Sequence, residues 1–153
     1  SGILSSHLYS DGKSWQLLYS PTTIQSSPFE KKGLRHDQPY LRMKGNDIFK
    51  LAVRSMSKAI TKALKESGIG ADDVSLLIPH QANIRIIKAM QERLKLPDER
   101  VFTNVEHYGN TSAASIPIAL NEANKAGRLK KGDIVVLVAF GGGLTWACSV
   151  VRW

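Results

Sequence analysis

Three stretches of this 153-residue chain carry the residue types best suited to chemistry, and each lies next to an apolar run. His80 stands directly after the apolar run 74–78 and a proline, Asn110 lies within the loop 106–115, and a triple glycine occupies 141–143. Open α/β sheets hold their ligands just beyond the ends of their strands. We therefore expect the three stretches to meet at one pocket.

His80 is the leading candidate, because the polar residues Gln81, Asn83 and Arg85 follow it where a helix is expected to begin. The partial positive charge at a helix N-terminus disfavours an imidazolium and so favours a neutral imidazole. A neutral imidazole can donate one hydrogen bond to a developing oxyanion. Without further context, a histidine at a strand end is more often structural, and Asn110 is more often a turn residue. Residue types alone thus predict half of an α/β acyl-handling enzyme, without a nucleophile.

Other chemistries find little support in the sequence. Cys148, the one thiol, lies in the strand-like run TWACSVV and is predicted to be a small core residue. His7, His36 and His107 lack metal-ligand spacing with any Cys, Asp or Glu, so no metal site is predicted. The triple glycine matches neither a P-loop nor a dinucleotide-binding pattern, and a hairpin turn is its simplest interpretation.

The apolar pattern predicts the elements that must position these residues. Strands are expected over 2–9, 15–19, 74–78, 101–105, 134–140 and 145–153. Helices are expected over 48–64 and 82–94, and a third helix follows the loop at 109–110 and ends near 126. Asn46 is the expected N-cap of the first helix, and 20–45 is predicted to be a long surface loop. The third helix tolerates Pro117 if Ser115 is its cap, but would be kinked if it began at Ser112.

This order of elements predicts a single α/β domain with a mixed five-stranded sheet packed with helices. The formal net charge of +8 suggests either an acidic partner or a solubility surplus spread over the surface, and spacing alone favours a solvated face for the basic stripe on the first helix. Nothing in the pattern supports binding to nucleic acid. No apolar run is long enough to span a membrane, there is no secretory signal, and a single cysteine fits the cytoplasm.

Four segments of the chain carry a resemblance to a known family. The segments PHQANIRI (79–86), GNTSAAS (109–115) and FGGGLTW (140–146), in this order, closely resemble the β-ketoacyl-acyl carrier protein synthase III family of thiolase-fold condensing enzymes. Residues 43–53, MKGNDIFKLAV, are also similar to that family. The resemblance covers the whole chain. It implies a C-terminal thiolase-like half-domain over 1–153, without the N-terminal half that holds the nucleophilic cysteine.

The resemblance implies a decarboxylative Claisen condensation that starts fatty-acid synthesis. The missing cysteine takes an acyl group, typically acetyl, from coenzyme A, and malonyl-acyl carrier protein supplies a carbanion after losing carbon dioxide. His80 and Asn110 match the histidine and asparagine of the family's Cys-His-Asn triad. Gly142 matches a backbone donor of the acyl-transfer oxyanion hole, and Phe140 is expected near the decarboxylating carboxylate.

The same resemblance implies binding sites for both substrates. The pantetheine tunnel is expected at Asn46, Phe49, Ala52, Asn83 and Ile86, and the patch for acyl carrier protein at Lys50, Arg85 and Arg93. Glu92 departs from the basic residue that relatives often have there, which weakens the patch slightly. The implied partners are acyl carrier protein, acyl-CoA, the N-terminal half and a second copy in a homodimer. No cofactor is implied beyond coenzyme A thioesters and phosphopantetheine-linked substrates.

Two alternatives remain open at this point. The chain is compatible with a related thiolase-fold synthase that uses other acyl and malonyl thioesters, such as one of the alkylquinolone-forming type. It is also compatible with a non-catalytic module that binds carrier protein. The presence of both His80 and Asn110 argues against the module, because a pure binder needs neither.

Overall fold

A mixed sheet forms the centre of the fold in the computed structural model, which describes residues 1–20 and 41–153. In this described part the sheet has four strands: Gly2–Ser10 (β1), Leu76–Pro79 (β4), Ile134–Gly141 (β5) and Thr145–Arg152 (β6). Their order is β1-β6-β5-β4, with β4 parallel to β5 and the other pairs antiparallel. Two short strands, Leu18–Tyr19 (β2) and Arg42–Met43 (β3), form a separate antiparallel pair.

Helices pack against both faces of the sheet. They are Gly45–Glu66 (α1), Ile84–Leu94 (α2), the single turn Val105–Tyr108 (α3) and Ser115–Lys125 (α4). Short 3₁₀ turns lie at Gly12–Leu17, Ala71–Asp73, Asp98–Arg100 and Ser112–Ala114. Helices α1 and α2 share one apolar cluster with the sheet, and α4 packs against the opposite face. The α/β class predicted from the sequence is confirmed.

Strand β4 is buried on both faces, as its continuous apolar run predicts. Successive side chains of a strand point to opposite faces. Leu77 therefore packs in the cluster with α1, whereas Leu76 and Ile78 pack in the cluster with α4. The backbone N–H of His80 donates to the carbonyl of Val138 at 2.7 Å, which extends the pairing of β4 with β5 by one residue. His80 is thus fixed at the carboxyl end of a buried strand.

Helix α1 follows the predicted amphipathic pattern but begins earlier than expected. Lys44, not Asn46, is the N-cap residue, and it makes no side-chain capping bond. The backbone sets this start, because the Lys44 N–H donates to the carbonyl of Leu17 at 2.9 Å directly after β3. Asn46 consequently lies in the first turn of the helix.

The prediction of a strand over 15–19 is wrong for most of its length. Gly12–Leu17 forms a 3₁₀ helix, in which the Asp11 side chain accepts from the Lys13 N–H, and only β2 is extended. The sheet neighbour of β1 is instead β6, from the far end of the chain. Reciprocal hydrogen bonds between the backbones of Asp11 and Leu144 hold this arrangement. The predicted loop 20–45 lies largely outside the described residues.

The prediction of a strand over 101–105 is also wrong beyond its first residue. Val101 makes one parallel bridge to Leu77, and Phe102 donates to the Leu77 carbonyl at 2.9 Å. The chain then turns away, because the Asn104 N–H is taken by the Oε1 of Gln81 at 2.9 Å. The described sheet therefore has four strands rather than the five expected.

The remaining elements agree more closely with the sequence. Strands β5 and β6 pair as the predicted hairpin, although β6 ends at Arg152. Helix α4 begins at Ser115, so that Pro117 lies in its first turn and causes no kink. Helix α2 begins at Ile84, two residues later than predicted, because the Asn83 side chain caps it by accepting from the Arg85 N–H at 2.9 Å.

One face of the sheet is only partly covered by this chain. Ser5 and His7 of β1 face α1, since the Ser5 hydroxyl donates to the Ala63 carbonyl and His7 lies 3.0 Å from Glu66. The alternation of β1 turns Leu8 to the other face, where its side chain is 81% exposed. Within residues 1–20 and 41–153, none of the helices has the length and apolar character needed to cross a membrane.

Candidate active site

A cavity of about 640 Å³ opens at the carboxyl ends of β4 and β5, between α1 and α2. Its lining includes Asn46, Phe49, Ala52, His80, Asn83, Arg85, Ile86, Asn110, Phe140 and Gly142. The three stretches expected to share a pocket therefore do meet at one cavity. Lys50 and Arg93 are not among the lining residues and lie on exposed helix surface.

His80 lies at the junction of this cavity with a second one of about 580 Å³. Among the described residues, both cavities are lined by His80, Ser112, Phe140 and Gly141. The second cavity extends along the partly covered sheet face to Leu8. His80 is therefore reached both from the space between α1 and α2 and from the partly covered sheet face.

The imidazole of His80 is partly buried, and this desolvation lowers its pKa below the ordinary value of 6.5. From the sequence, the helix N-terminus was the expected cause of a neutral imidazole. Helix α2 begins only at Ile84, and burial is the cause that lowers the pKa of His80. Nδ1 of His80 lies 2.6 Å from the hydroxyl of Ser115. His80 is therefore set up as a neutral hydrogen-bonding group.

The carboxamide of Asn110 is oriented by its own loop. Its Oδ1 accepts from the backbone N–H of Ser112 at 2.9 Å, and Ser112 has a left-handed φ of 55°. Since the oxygen is occupied by a donor, the amide nitrogen is the end left to donate to a ligand. Asn110 is therefore a turn residue, and it also lies in the lining of the cavity.

Helix α4 holds the loop that carries Asn110. Asn104 donates to Oε2 of Glu122 at 2.7 Å, and the Tyr108 hydroxyl donates to Oε1 of the same carboxylate. The hydrogen bond from Tyr108 is the main reason that the pKa of Glu122 is lowered, and it also raises the pKa of Tyr108. Gln81, which is 1% exposed, connects this loop to β4 through Asn104. The site is thereby linked to the core by hydrogen bonds.

The glycines of the β5–β6 turn differ in their steric need. Gly143 has a φ of +136°, and a Cβ there would approach Cγ2 of Thr145 to 2.8 Å, so the turn requires glycine. A Cβ on Gly142 would meet nothing closer than the Leu18 carbonyl oxygen at 3.8 Å. Gly142 lines the cavity, but no close contact in the described part of the chain demands a glycine there.

Several cavity residues were not predicted from the sequence. They are Leu18, Tyr19, Ser20, Leu41, Met43, Gly45, Ile48, Met56, Ala82 and Ser112. The spacing of Asn110 and Ser112 is typical of an asparagine turn, so the sequence does contain a signal that places Ser112 beside Asn110. No comparable signal exists for Ser115, which reaches His80 only through the tertiary fold.

Cys148 is buried in β6, and this desolvation raises the pKa of its thiol to about 12. It is therefore a core residue, as predicted. Across residues 1–20 and 41–153, no group of three or more His, Cys, Asp or Glu side chains is arranged to hold a metal ion.

A comparison with known proteins decides the family. The family model for the C-terminal part of 3-oxoacyl-[acyl-carrier-protein] synthase III matches residues 64–153. The chain belongs to this family. The β-ketoacyl-[acyl-carrier-protein] synthase III of Clostridioides difficile is 48% identical over 152 residues, which are 99% of this chain and 46% of that protein.

Solved structures of synthase III proteins agree with this assignment. The Aquifex aeolicus structure superposes with a TM-score of 0.87 at 45% identity, covering 100% of this chain and 45% of the other. The Thermus thermophilus structure gives a TM-score of 0.91 at 46% identity, covering 99% and 46%. The thiolase-like fold implied by the resemblance is thus confirmed. The chain spans about half the length of these relatives.

Proposed function

We propose that this chain is the catalytic C-terminal half of a β-ketoacyl-acyl carrier protein synthase III. Its relatives of that name match it over nearly its whole length. The observation that carries the proposal is the shared cavity, which is lined by both His80 and Asn110. The complete enzyme would act in the cytoplasm as a homodimer and would join an acyl group from acyl-CoA to malonyl-acyl carrier protein.

The proposed reaction needs donors at the oxygen of the malonyl thioester. When the bond between the carboxylate carbon and Cα breaks, carbon dioxide leaves. The electron pair of the broken bond stays on Cα and forms an enolate with the thioester carbonyl. His80 and Asn110 each donate a hydrogen bond to the enolate oxygen, and one such donor contributes roughly 3–4 kcal/mol. Cα then attacks the acyl thioester, a carbon–carbon bond forms, and the cysteine leaves as a thiolate. Phe140 helps to keep water from the carbanion.

The nucleophilic cysteine belongs to the N-terminal half in this proposal. Cys148 is unsuitable, since burial raises its pKa to about 12. Asn110, Ser112 and Gly142 are at least partly exposed in this chain, whereas an enolate needs a site that excludes water. The second cavity and the exposed Leu8 form an uncovered surface beside them. We assign that surface to the N-terminal half, whose cysteine would share an oxyanion hole with the N–H of Gly142.

The larger cavity suits a phosphopantetheine arm. Asn46 and Asn83 offer amide groups to its polar atoms, and Phe49, Ala52 and Ile86 offer apolar contact. Because pantetheine carries two amides on an aliphatic chain, this mixture of polar and apolar lining is complementary to it. Coenzyme A and acyl carrier protein deliver the same arm, so one tunnel serves both substrates.

The decisive experiment replaces each donor in the complete enzyme. His80→Ala and Asn110→Ala should each slow decarboxylation of malonyl-acyl carrier protein by about 10² to 10³-fold. Transfer of the acyl group from coenzyme A to the cysteine should survive better, since it relies on backbone donors. Both half-reactions are measured separately, by release of carbon dioxide and by labelling of the cysteine. Equal loss of both in His80→Ala would mean that the histidine activates the cysteine instead.

A basic surface at the cavity mouth would receive the acidic carrier protein. The Arg85 guanidinium lies 5.8 Å from the centroid of the Phe49 ring, and Phe49 is followed in the sequence by Lys50. Arg93 lies in the last turn of α2. Reversing the charge with Arg85→Glu should raise the KM for malonyl-acyl carrier protein, most strongly at low salt.

Arg85 also lines the cavity, so Arg85→Glu should raise the KM for acetyl-CoA too, but by much less than the KM for malonyl-acyl carrier protein. Lys62→Glu is the matched control, because Lys62 pairs with Glu66 at the far end of α1. An equal rise in KM for both substrates would contradict a docking role for Arg85.

A further inference from the structure

The ring of His80 has a neighbour whose type and position bear on catalysis. Ser115, the first residue of α4, is 2% exposed, and its Oγ lies 2.6 Å from Nδ1 of His80. The same Oγ accepts a hydrogen bond from the backbone N–H of Gln81 at 3.3 Å. Ser115 therefore joins the start of α4 to the end of β4 and contacts one specific nitrogen of the imidazole.

The hydrogen-bonding capacity of Ser115 determines where the imidazole proton resides. A buried hydroxyl has one proton to donate and rarely leaves it unpaired. In the described part of the chain, its two hydrogen-bonding neighbours are the Gln81 N–H, which can only donate, and Nδ1 of His80. The Ser115 proton must therefore go to Nδ1, which can accept it only when unprotonated. The proton of the neutral ring then lies on Nε2.

We propose that Ser115 is a positioning residue that fixes His80 as the Nε2–H tautomer, so that Nε2–H is the donor to the enolate oxygen. The purpose of that donor rests on the proposed function, whereas the tautomer itself follows from the hydrogen bonds. Burial favours the same state, because it lowers the pKa of His80 and keeps the ring neutral near pH 7. In the other tautomer, Nε2 would present a lone pair to the enolate and repel it.

The test uses the complete enzyme with ¹⁵N-labelled histidine and no substrate. Nitrogen NMR distinguishes a protonated ring nitrogen from an unprotonated one, and the His80 signals are those absent from the His80→Asn spectrum. Ser115→Ala removes the hydroxyl, and Ser115→Thr keeps it. Ser57→Ala is the matched control, since Ser57 is a serine of α1 that is 3% exposed and has no hydrogen-bond partner for its hydroxyl among the described residues.

The expected result is an Nε2–H tautomer in the unmodified enzyme and in Ser115→Thr. In Ser115→Ala the Nδ1–H tautomer should appear, and malonyl decarboxylation should fall by roughly 10- to 100-fold, as for other residues that orient a histidine. Acyl transfer to the cysteine and the KM for malonyl-acyl carrier protein should change little. Ser57→Ala should leave both the spectrum and the rate as they were.

Two outcomes would overturn the role of Ser115. One is an unchanged Nε2–H signal in Ser115→Ala, and the other is an equal loss of rate in Ser57→Ala, which would indicate general damage to packing. Failure of the proposed function looks different. The tautomer would then change in Ser115→Ala, while decarboxylation would be insensitive to Ser115→Ala and to His80→Asn alike.

Discussion

At the residue scale, His80 couples the site to the stability of the fold through its protonation. Burial lowers its pKa in the folded state below the 6.5 of an unperturbed histidine. Between the folded and unfolded pKa values, the unfolded chain binds more protons. The free energy of unfolding must therefore fall as the pH is lowered through 6.5, and it levels off below the folded pKa. Catalysis and stability thus favour the same neutral ring.

His80→Asn should remove this dependence, because asparagine does not titrate. We expect the free energy of unfolding of the complete enzyme to fall less between roughly pH 7 and pH 5 in His80→Asn than in the unmodified protein. Urea titrations at a series of pH values measure the difference. Identical slopes in the two proteins would contradict a buried, neutral His80.

At the element scale, the turn between β5 and β6 sets the rim of the cavity. Gly143→Ala should destabilise the fold by about 1–3 kcal/mol, because its φ of +136° suits only glycine and the new Cβ would meet Thr145. Gly142→Ala is the natural control, since it meets no close contact within the described chain. Urea denaturation of both variants checks the contrast. Equal stabilities would show that the turn accommodates the added methyl group at no cost.

At the scale of the whole molecule, the partly covered sheet face predicts where the rest of the enzyme packs. Leu8 is 81% exposed in this chain, so Leu8→Lys should hardly change the stability of the chain alone. In the complete enzyme the same change should cost about 2 kcal/mol or more, because it removes a buried leucine and buries a charge. Thermal unfolding of both forms provides the measurement.

Ile84→Lys serves as the control for Leu8→Lys, since Ile84 is a 39% exposed apolar residue at the start of α2. Its effect should be the same in the chain and in the complete enzyme. If Leu8→Lys left the stability of the complete enzyme unchanged, the N-terminal half would have to pack elsewhere.

Local pattern predicted the elements whose burial is decided by their own residues. Helix α1 and strands β4 and β5 are predictable because their apolar residues repeat with a helical period or run without interruption. The prediction for the segment 15–19 is wrong, since its apolar residues suit a strand and a 3₁₀ turn equally. Pairing of β1 with β6 decides the outcome there, and no local pattern contains that information.

The site is predictable to a similar degree. His80, Asn110 and the triple glycine stand out because strand ends and glycines are visible in the sequence, and all three stretches reach the cavity. From the sequence, Ser115 is only a possible helix cap. Its contact with His80 joins residues 35 positions apart, and only the packing of α4 against β4 brings them together.

The depth of Cys148 has a practical consequence for chemists who study the complete protein. A thiol with a pKa of about 12 is almost wholly protonated at physiological pH, and protonated thiols react slowly with alkylating reagents. Iodoacetamide or a covalent inhibitor applied to the folded enzyme will therefore leave Cys148 untouched. Any mass that such a reagent adds to a cysteine of the complete protein can therefore be assigned to the other half of the molecule.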